Sequence, residues 1–375
     1  MTSEAWRSGR TQARPEEVGF EAAQLERLES IFEGLLTAGK VQAASYCIAR
    51  HGRIFASRSL GSRRYDGSQP MEAGTLRRLS SITKVFTSLG ILKLVEAGRL
   101  VMELPIGQCL KEFDTPRHAK IRLSHLLTHS SGLPADPGSN GEANPDPLGF
   151  WERARSSDWL SWVAAEPLAH EPGARWCYGS IGFMLLGEII TRSVGEPFHV
   201  WLAREIIEPA ALHDTFFDPR GRDDDHFCIV SAEEQARLAL LRAHGVPATS
   251  AMGGAYSTCP DLVRLGQLFL ERGSLDGKRI VASSTIEAMR RVHLTAPAPH
   301  WGDHFPDFQY GLGIEPVRHP LISPGAVWGH EGAGRCAWLF APEQQLTAAW
   351  TLPTTVDFDP DFCWTPRAVI WAGLR

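Results

Sequence analysis

The sequence predicts an α/β (α+β) fold: a mostly antiparallel sheet flanked by helices, with an inserted helical domain. Three observations carry this prediction. Strand-like runs lie near both ends of the chain, at 41–60 and beyond 309. Apolar residues at helical spacing dominate the stretch between them. The length of 375 residues suits two domains. The economical packing makes one sheet from both termini and sets the helical region beside it. The expected units are 1–80 with 253–375 for the sheet, and 81–252 for the insertion.

The opening twenty residues are polar and read as an arm. Over 22–39, Leu25, Leu28, Ile31, Phe32, Leu35 and Leu36 recur every three or four residues, an amphipathic helix with Gly39 as its stop. Runs 41–50 and 53–60 are β-like, parted by the turn-prone His51-Gly52. A strong helix starts at Ser80 or Ser81, shows Val85, Phe86, Leu89, Leu92 and Val95 on one face, and ends at Gly98. A short helix is expected over 121–129. Residues 134–149, rich in Pro, Gly, Asn and Asp, predict a long irregular loop, and such loops in compact domains are often functional. Helical texture returns at 182–192, 196–207, 258–273 and 284–292. The stretch 218–226 reads as a charged loop and 296–308 as a Pro-rich, aromatic one. Strand patterns follow at 309–316, 336–341 and 346–352, and 368–374 closes the chain as a helix.

Composition removes several function classes. Hydrophobic residues are 43% and charged residues 22%, which is globular. The net charge of -5 offers no basic field for nucleic acid. No run of eighteen apolar residues appears, so no membrane partner is expected. The first twenty residues lack the apolar core of a secretory signal, which predicts a cytoplasmic protein if they are the native start. Seven scattered cysteines without a CxxC fit reduced thiols. There are 12 Trp and only 5 Tyr, so each tyrosine can be weighed singly.

Ser81-Ile82-Thr83-Lys84 is an S-x-x-K at a helix start. Spacing of three puts both side chains on one helical face, about 5–6 Å apart at Cβ. A serine hydroxyl is a poor nucleophile until a base takes its proton. Lys84, flanked by Thr83, Val85 and Phe86, is placed for the burial that lowers a lysine pKa. The helix N-terminus adds partial positive charge where an oxyanion forms. On these residues alone, a capping serine with a snorkelling lysine is the commoner explanation, because S-x-x-K recurs often by chance.

Further segments give the motif its context. They are 79–100 around Ser81, His125-Leu126-Leu127-Thr128-His129-Ser130-Ser131-Gly132-Leu133, Glu171-Pro172-Gly173 through Tyr178-Gly179-Ser180, Gly253-Gly254-Ala255-Tyr256-Ser257-Thr258, Tyr310-Gly311-Leu312-Gly313 and His330-Glu331-Gly332-Ala333-Gly334. In this order they resemble the class C β-lactamase and penicillin-binding-protein-like serine hydrolases, over residues 15–350. The resemblance implies the β-lactamase/transpeptidase-like fold and an acyl-enzyme on Ser81, with no cofactor and no metal. It implies that Tyr178 is general base with Lys84, a cationic lysine lowering the phenol pKa. It implies an oxyanion hole from the backbone N–H groups of Ser81 and Ala333, such donors being worth about 3–4 kcal/mol each.

Two departures bear on substrate. Ser180 stands where the family carries the asparagine that holds an acyl amide, and His330 stands where β-lactamases carry a lysine for the carboxylate. Both point to the esterase and acyltransferase branches rather than to a β-lactamase or D,D-peptidase. The expected partner is a small-molecule ester, lactone or acyl donor. Ser180, His330, Glu331 and Gly332 are expected to bind it, Gly332 by letting a strand edge come close. Trp151 and Trp301, in or after the two long loops, are expected to line an apolar pocket, the alternative being that tryptophans pack loops to the body. Arg335 is expected to meet a carboxylate or phosphate at the site mouth, the alternative being an exposed arginine. The run 332–337 mimics a dinucleotide fingerprint, but a strand pattern follows it instead of a helix. His125 and His129 have metal-like spacing without the glutamate of HExxH. The sequence leaves open hydrolysis, acyl transfer of the lovastatin-type enzymes, a β-lactamase or D,D-peptidase, and a non-catalytic scaffold.

Overall fold

A computed structural model describes residues 6–139, 146–300, 303–317, 325–356 and 359–375. Its centre is a six-stranded antiparallel sheet of β1 (Ala43–Arg50), β2 (Arg53–Gly61), β3 (Glu315–Pro316), β4 (Trp328–Gly332), β5 (Cys336–Ala341) and β6 (Leu346–Thr351). The spatial order is β2-β1-β6-β5-β4-β3. The two chain ends therefore meet mid-sheet, with Cys47 opposite Ala349 across β1 and β6.

Side-chain alternation along the strands sets the layers. Ala44, Tyr46 and Ile48 of β1 join Ala337, Leu339 and Ala341 of β5 on one face. There they meet Phe32 and Leu35 of helix α1 (Ala22–Thr37). Cys47, Ala49, Trp338 and Phe340 lie on the other face. Phe269 packs its ring 5.3 and 4.7 Å from the last two. Each aromatic or aliphatic side chain so buried contributes about 1.5–3 kcal/mol.

Helix α2 (Thr83–Glu96) is buried on every side from Thr83 through Leu92. The sequence pattern pointed to a single apolar face. The difference arises because Lys84, Thr87 and Ser88 are enclosed as well, so polarity on this helix marks internal partners and not solvent. Helix α3 (Ser180–Val194) packs beside it, with α4 (Ala232–His244), α5 (Cys259–Leu270) and the C-terminal α6 (Trp364–Ala372) completing the body.

Four local expectations change. Residues 296–308 are not a loop: Leu294–His300 pairs with Asp303–Tyr310 as a hairpin. Its register shifts between Ala296 and Ala298, at Pro297, which has no N–H to give a ladder. A helix, Pro147–Arg155, begins inside the expected 134–149 loop, where Asp146 accepts from the Gly149 N–H at 2.9 Å. The run 309–316 divides into the end of that hairpin, a turn, and β3. Helix α4 went unread, although Ser231 accepts from the Glu234 N–H at its start and acidic residues fill its first turn. Among the described residues no helix is long and apolar enough to cross a membrane, and no disulfide is formed.

Candidate active site

Ser81 lies in a 3-10 turn, Ser80–Ile82, that leads into α2. Ser80 has φ +49°, a left-handed conformation that costs a non-glycine residue energy and recurs at functional sites. The segment 251–258 grips this turn. The Leu79 N–H donates to Ala255 O at 2.8 Å and the Ala255 N–H to Thr83 Oγ1 at 3.1 Å. Thr87 Oγ1 donates to Ala251 O at 2.7 Å.

Lys84 is fully buried. Its Nζ lies 3.2 Å from Ser81 Oγ, 2.9 Å from Met252 O and 3.5 Å from Ser180 Oγ. Burial pushes its pKa down to about 8, against the opposing pull of Asp136. A free-base lysine keeps two N–H donors and gains a lone pair. Two donors match Met252 O and Ser180 Oγ, which leaves the lone pair for the Ser81 hydroxyl.

Tyr178 sits over this pair, with Lys84 Nζ 4.8 Å from its ring centroid. Its phenol hydrogen-bonds Ser81. The expected lowering of the phenol pKa is not found. Burial, then the Asp136 charge, raise it well above its ordinary value, and the Ser81 hydrogen bond only partly opposes them. The phenol is therefore neutral at pH 7, and the group tuned toward neutrality is Lys84. The tyrosine is held by its backbone: Asp136 N–H and Ser139 Oγ both donate to Tyr178 O, at 2.9 and 2.7 Å. His129 stacks on its ring at 4.4 Å. Burial, Lys84 and His330 keep that imidazole well below its usual pKa, hence neutral.

Sequence reasoning missed Asp136, because it lies in an irregular segment outside every motif. It accepts from the Ser180 N–H at 2.6 Å and from Ser180 Oγ at 2.7 Å, capping α3 from a separate segment. Burial raises its pKa and Lys84 opposes. Ser180 thus has its hydroxyl committed between Asp136 and Lys84.

His330 of β4 faces the same space. Its Nδ1 donates to Glu331 O at 2.7 Å, so Nε2 accepts from the Tyr310 hydroxyl at 3.3 Å. Burial and Lys84 push its pKa down to about 4, so the ring is neutral. It offers no positive charge where a β-lactamase carries lysine. Gly332 makes the closest backbone approach: a Cβ there would meet Leu79 O at 2.1 Å. That approach carries Ala333, exposed in the following turn, to the nucleophile turn. Gly313, at φ +71°, likewise brings its turn onto α2, where a Cβ would fall 1.8 Å from Ser88 Oγ.

Three expected substrate contacts are corrected. Glu331 points through the sheet to the opposite face, where its carboxylate pairs with Arg367 of α6. Neighbouring strand residues alternate faces, so His330 and Glu331 cannot both line one site. The Arg335 guanidinium donates to Val356 O at 3.0 Å and lies over the Phe362 ring, on that same far side. Trp151 is half-buried against Phe150, with the Arg155 guanidinium 5.6 Å over its ring, which is helix packing. Trp301 lies outside the described residues. The aromatic wall beside Tyr178 comes instead from Trp176, Phe308 and Tyr310.

A family model described as Beta-lactamase matches residues 28–365. The chain belongs to the beta-lactamase family. It is an enzyme, a serine hydrolase of that family. Esterase EstB of Burkholderia gladioli is 31% identical over 261 residues, covering 66% of each chain. The N-acetylmuramyl-L-alanine amidase of Bacillus subtilis strain 168 is 24% identical over 381 residues, covering 92% of this chain and 80% of that one. Among solved structures, EstCE1, a hydrolase with promiscuous acyltransferase activity, superposes with a TM-score of 0.77 at 19% identity. It covers 93% of this chain and 99% of its own, which shows a common fold.

Proposed function

We propose that the enzyme cleaves carboxylic esters through an acyl-Ser81 intermediate, with Lys84 as the base. The observation that carries this reading is a buried lysine, its pKa near 8, whose Nζ lies 3.2 Å from the Ser81 hydroxyl. Free-base Lys84 takes the Ser81 proton as Oγ attacks the ester carbonyl. The Ser81 and Ala333 amides hold the developing oxyanion, and Gly332 is what lets the second amide come close. Collapse breaks the bond to the alcohol oxygen. The neutral Tyr178 phenol protonates that oxygen and is itself reprotonated by the Lys84 ammonium. Water then attacks the acyl-enzyme and gives one proton to Lys84; collapse breaks the bond to Ser81 Oγ and releases the carboxylic acid, and the Lys84 ammonium returns that proton to Oγ.

The neutral His330 and the Ser180–Asp136 pair favour esters over β-lactams, because neither a cation nor an amide side chain is offered. The similarity to EstB supports the same substrate class. An acceptor alcohol or amine in place of water gives acyl transfer with an identical first half. The test is intact mass after mixing with 4-nitrophenyl butyrate, with and without an acceptor alcohol. A transient butyryl adduct on the wild type, absent in Ser81→Ala, is expected. Equal turnover by both proteins overturns the nucleophile, and rapid nitrocefin hydrolysis overturns the substrate class.

A further inference from the structure

The short helix Leu123–Leu127 is closed by a left-handed residue that is not glycine. His129 has φ +54°. Its N–H donates to Leu126 O at 3.4 Å, and the Ser130 N–H donates to His125 O at 2.9 Å. This pair of bonds is the Schellman closure, which usually carries glycine at that position. A side chain in the left-handed region is disfavoured relative to glycine. The helix end alone therefore gives no reason for a histidine, and a non-glycine residue held this way points to a function elsewhere.

That function lies in what the buried His129 grips. The Cys177 N–H donates to His129 O at 2.9 Å, and the Gly179 N–H donates to His129 Nδ1 at 3.1 Å. The main chain on both sides of Tyr178 is thus tied to one residue. Nδ1 also lies 3.2 Å from Gly179 O, but that carbonyl sits at the N-cap of α3, where it takes the first bond of the helix. The imidazole stacks on the Tyr178 ring, with centroids 4.4 Å apart and planes at 30°. Phe183 and Tyr310, at 5.1 and 5.2 Å, enclose the imidazole in turn. Because Nδ1 accepts, the proton of this neutral ring is on Nε2. Neither nitrogen has a lone pair to spare, so His129 is no base. Nε2 makes no hydrogen bond among the described residues, so it relays no proton there either.

We infer that His129 is a positioning residue, whose ring and Nδ1 hold the Tyr178 phenol in the orientation that delivers a proton to the leaving alcohol. This rests on the esterase reading, in which Tyr178 is the acid, and adds a substrate class. The proton passes from Tyr178 Oη to the departing oxygen as its bond to the acyl carbon breaks, and the Lys84 ammonium replaces it. Esters of ordinary alkyl alcohols need that proton, whereas 4-nitrophenolate leaves without one. The device therefore suits alkyl esters.

The experiment has a turnover arm and a resonance arm. The first takes the ratio of kcat/KM for ethyl butyrate to that for 4-nitrophenyl butyrate in one enzyme sample. The acyl group is common to both, and any loss of folded protein cancels. Tyr178→Phe is expected to lower the ratio about 10²-fold, the worth of a general acid. His129→Asn keeps a residue that tolerates the left-handed backbone and an acceptor for the Gly179 N–H, but not the ring. It is expected to lower the ratio about tenfold, a part of the acid's contribution. His129→Phe keeps a ring without the acceptor and is expected to lower it too. A ratio lowered by Tyr178→Phe but unchanged in both His129 variants overturns the inference and leaves the esterase reading. A ratio unchanged in Tyr178→Phe removes the acid from that reading, and the inference with it. The second arm needs no turnover. The chain has 5 Tyr, so carbon-13 labelling of tyrosine rings gives a spectrum in which Tyr178→Phe assigns Tyr178. Its ring is expected to flip severalfold faster in His129→Asn, and an unchanged flip rate overturns the positioning role. Faster flipping in a protein that hydrolyses no ester would leave the positioning role standing and remove the esterase reading.

Discussion

Asp136→Asn tests the electrostatics of the site most directly. The carboxylate accepts from Ser180 Oγ at 2.7 Å, and Ser180 Oγ lies 3.5 Å from Lys84 Nζ. Laid end to end, these contacts put the two charges within about 6 Å. At an effective dielectric of about 20, unit charges at that distance attract by about 3 kcal/mol, or about two pKa units. Asp136 is itself raised by burial, so it is incompletely charged and the realised effect is smaller. The sign follows from the chemistry: the carboxylate stabilises the lysine ammonium, so its removal lowers the lysine pKa further. Since the free base is the active form, the wild type gains activity as pH rises through about 8. In Asp136→Asn that limb moves to lower pH by about one to two units. Asparagine still accepts from the Ser180 N–H, so the helix cap survives and the fold is not the variable. The assay is kcat/KM against pH with a neutral ester. A limb that stays near pH 8, or moves up, refutes Lys84 as the titrating base.

Other substitutions read other parts of the site. Ser81→Ala is expected to lower kcat by at least about 10⁴-fold and to abolish labelling by a serine-reactive phosphonate, read by intact mass. Gly332→Ala puts a Cβ into Leu79 O and displaces the Ala333 amide; kcat is expected to fall about 10²–10³-fold, the worth of one oxyanion donor, and Tm to fall as well, because the group in the way is backbone and overpacking costs about 1–3 kcal/mol. Arg367→Ala leaves Glu331 without its partner and is expected to cost about 2 kcal/mol in urea unfolding, discounted for the carboxylate's partial exposure. Burial would raise the Glu331 carboxyl, but Arg367 and Cys363 hold it below the ordinary range. The wild-type advantage is therefore present at neutral pH and fades as pH falls through that depressed pKa.

What was legible in the sequence was local or repeated. The S-x-x-K spacing needs only one helical turn, and the order of short motifs carried the family. The strands at both ends announced a sheet closed from the termini. What was not legible needed a third dimension or ran against a propensity. Prolines at 297, 299 and 306 hid the hairpin, because a two-stranded ribbon leaves outer positions that need no N–H donor. Glu331 was placed in the site beside His330, although strand alternation alone separates them. Helix α4 carried an N-cap serine and an acidic first turn, and those signals were available.

The residues that sequence reading missed explain those that it found. Lys84 was recognisable by motif, but its proposed role as base depends on how far burial lowers its pKa and how far Asp136 restores it. Tyr178 was recognisable too, but burial, and after it the same carboxylate, keep its phenol protonated. One buried acid thus acts on both groups in opposite catalytic senses: it makes the lysine a stronger base and the tyrosine a weaker acid. Ser180 Oγ donates to Asp136 while accepting from Lys84, so its hydroxyl links the acid to the lysine. Asparagine at 180 beside an unchanged Asp136 gives the carboxylate a longer, bulkier neighbour in a packed interior, and the overpacking weakens that link.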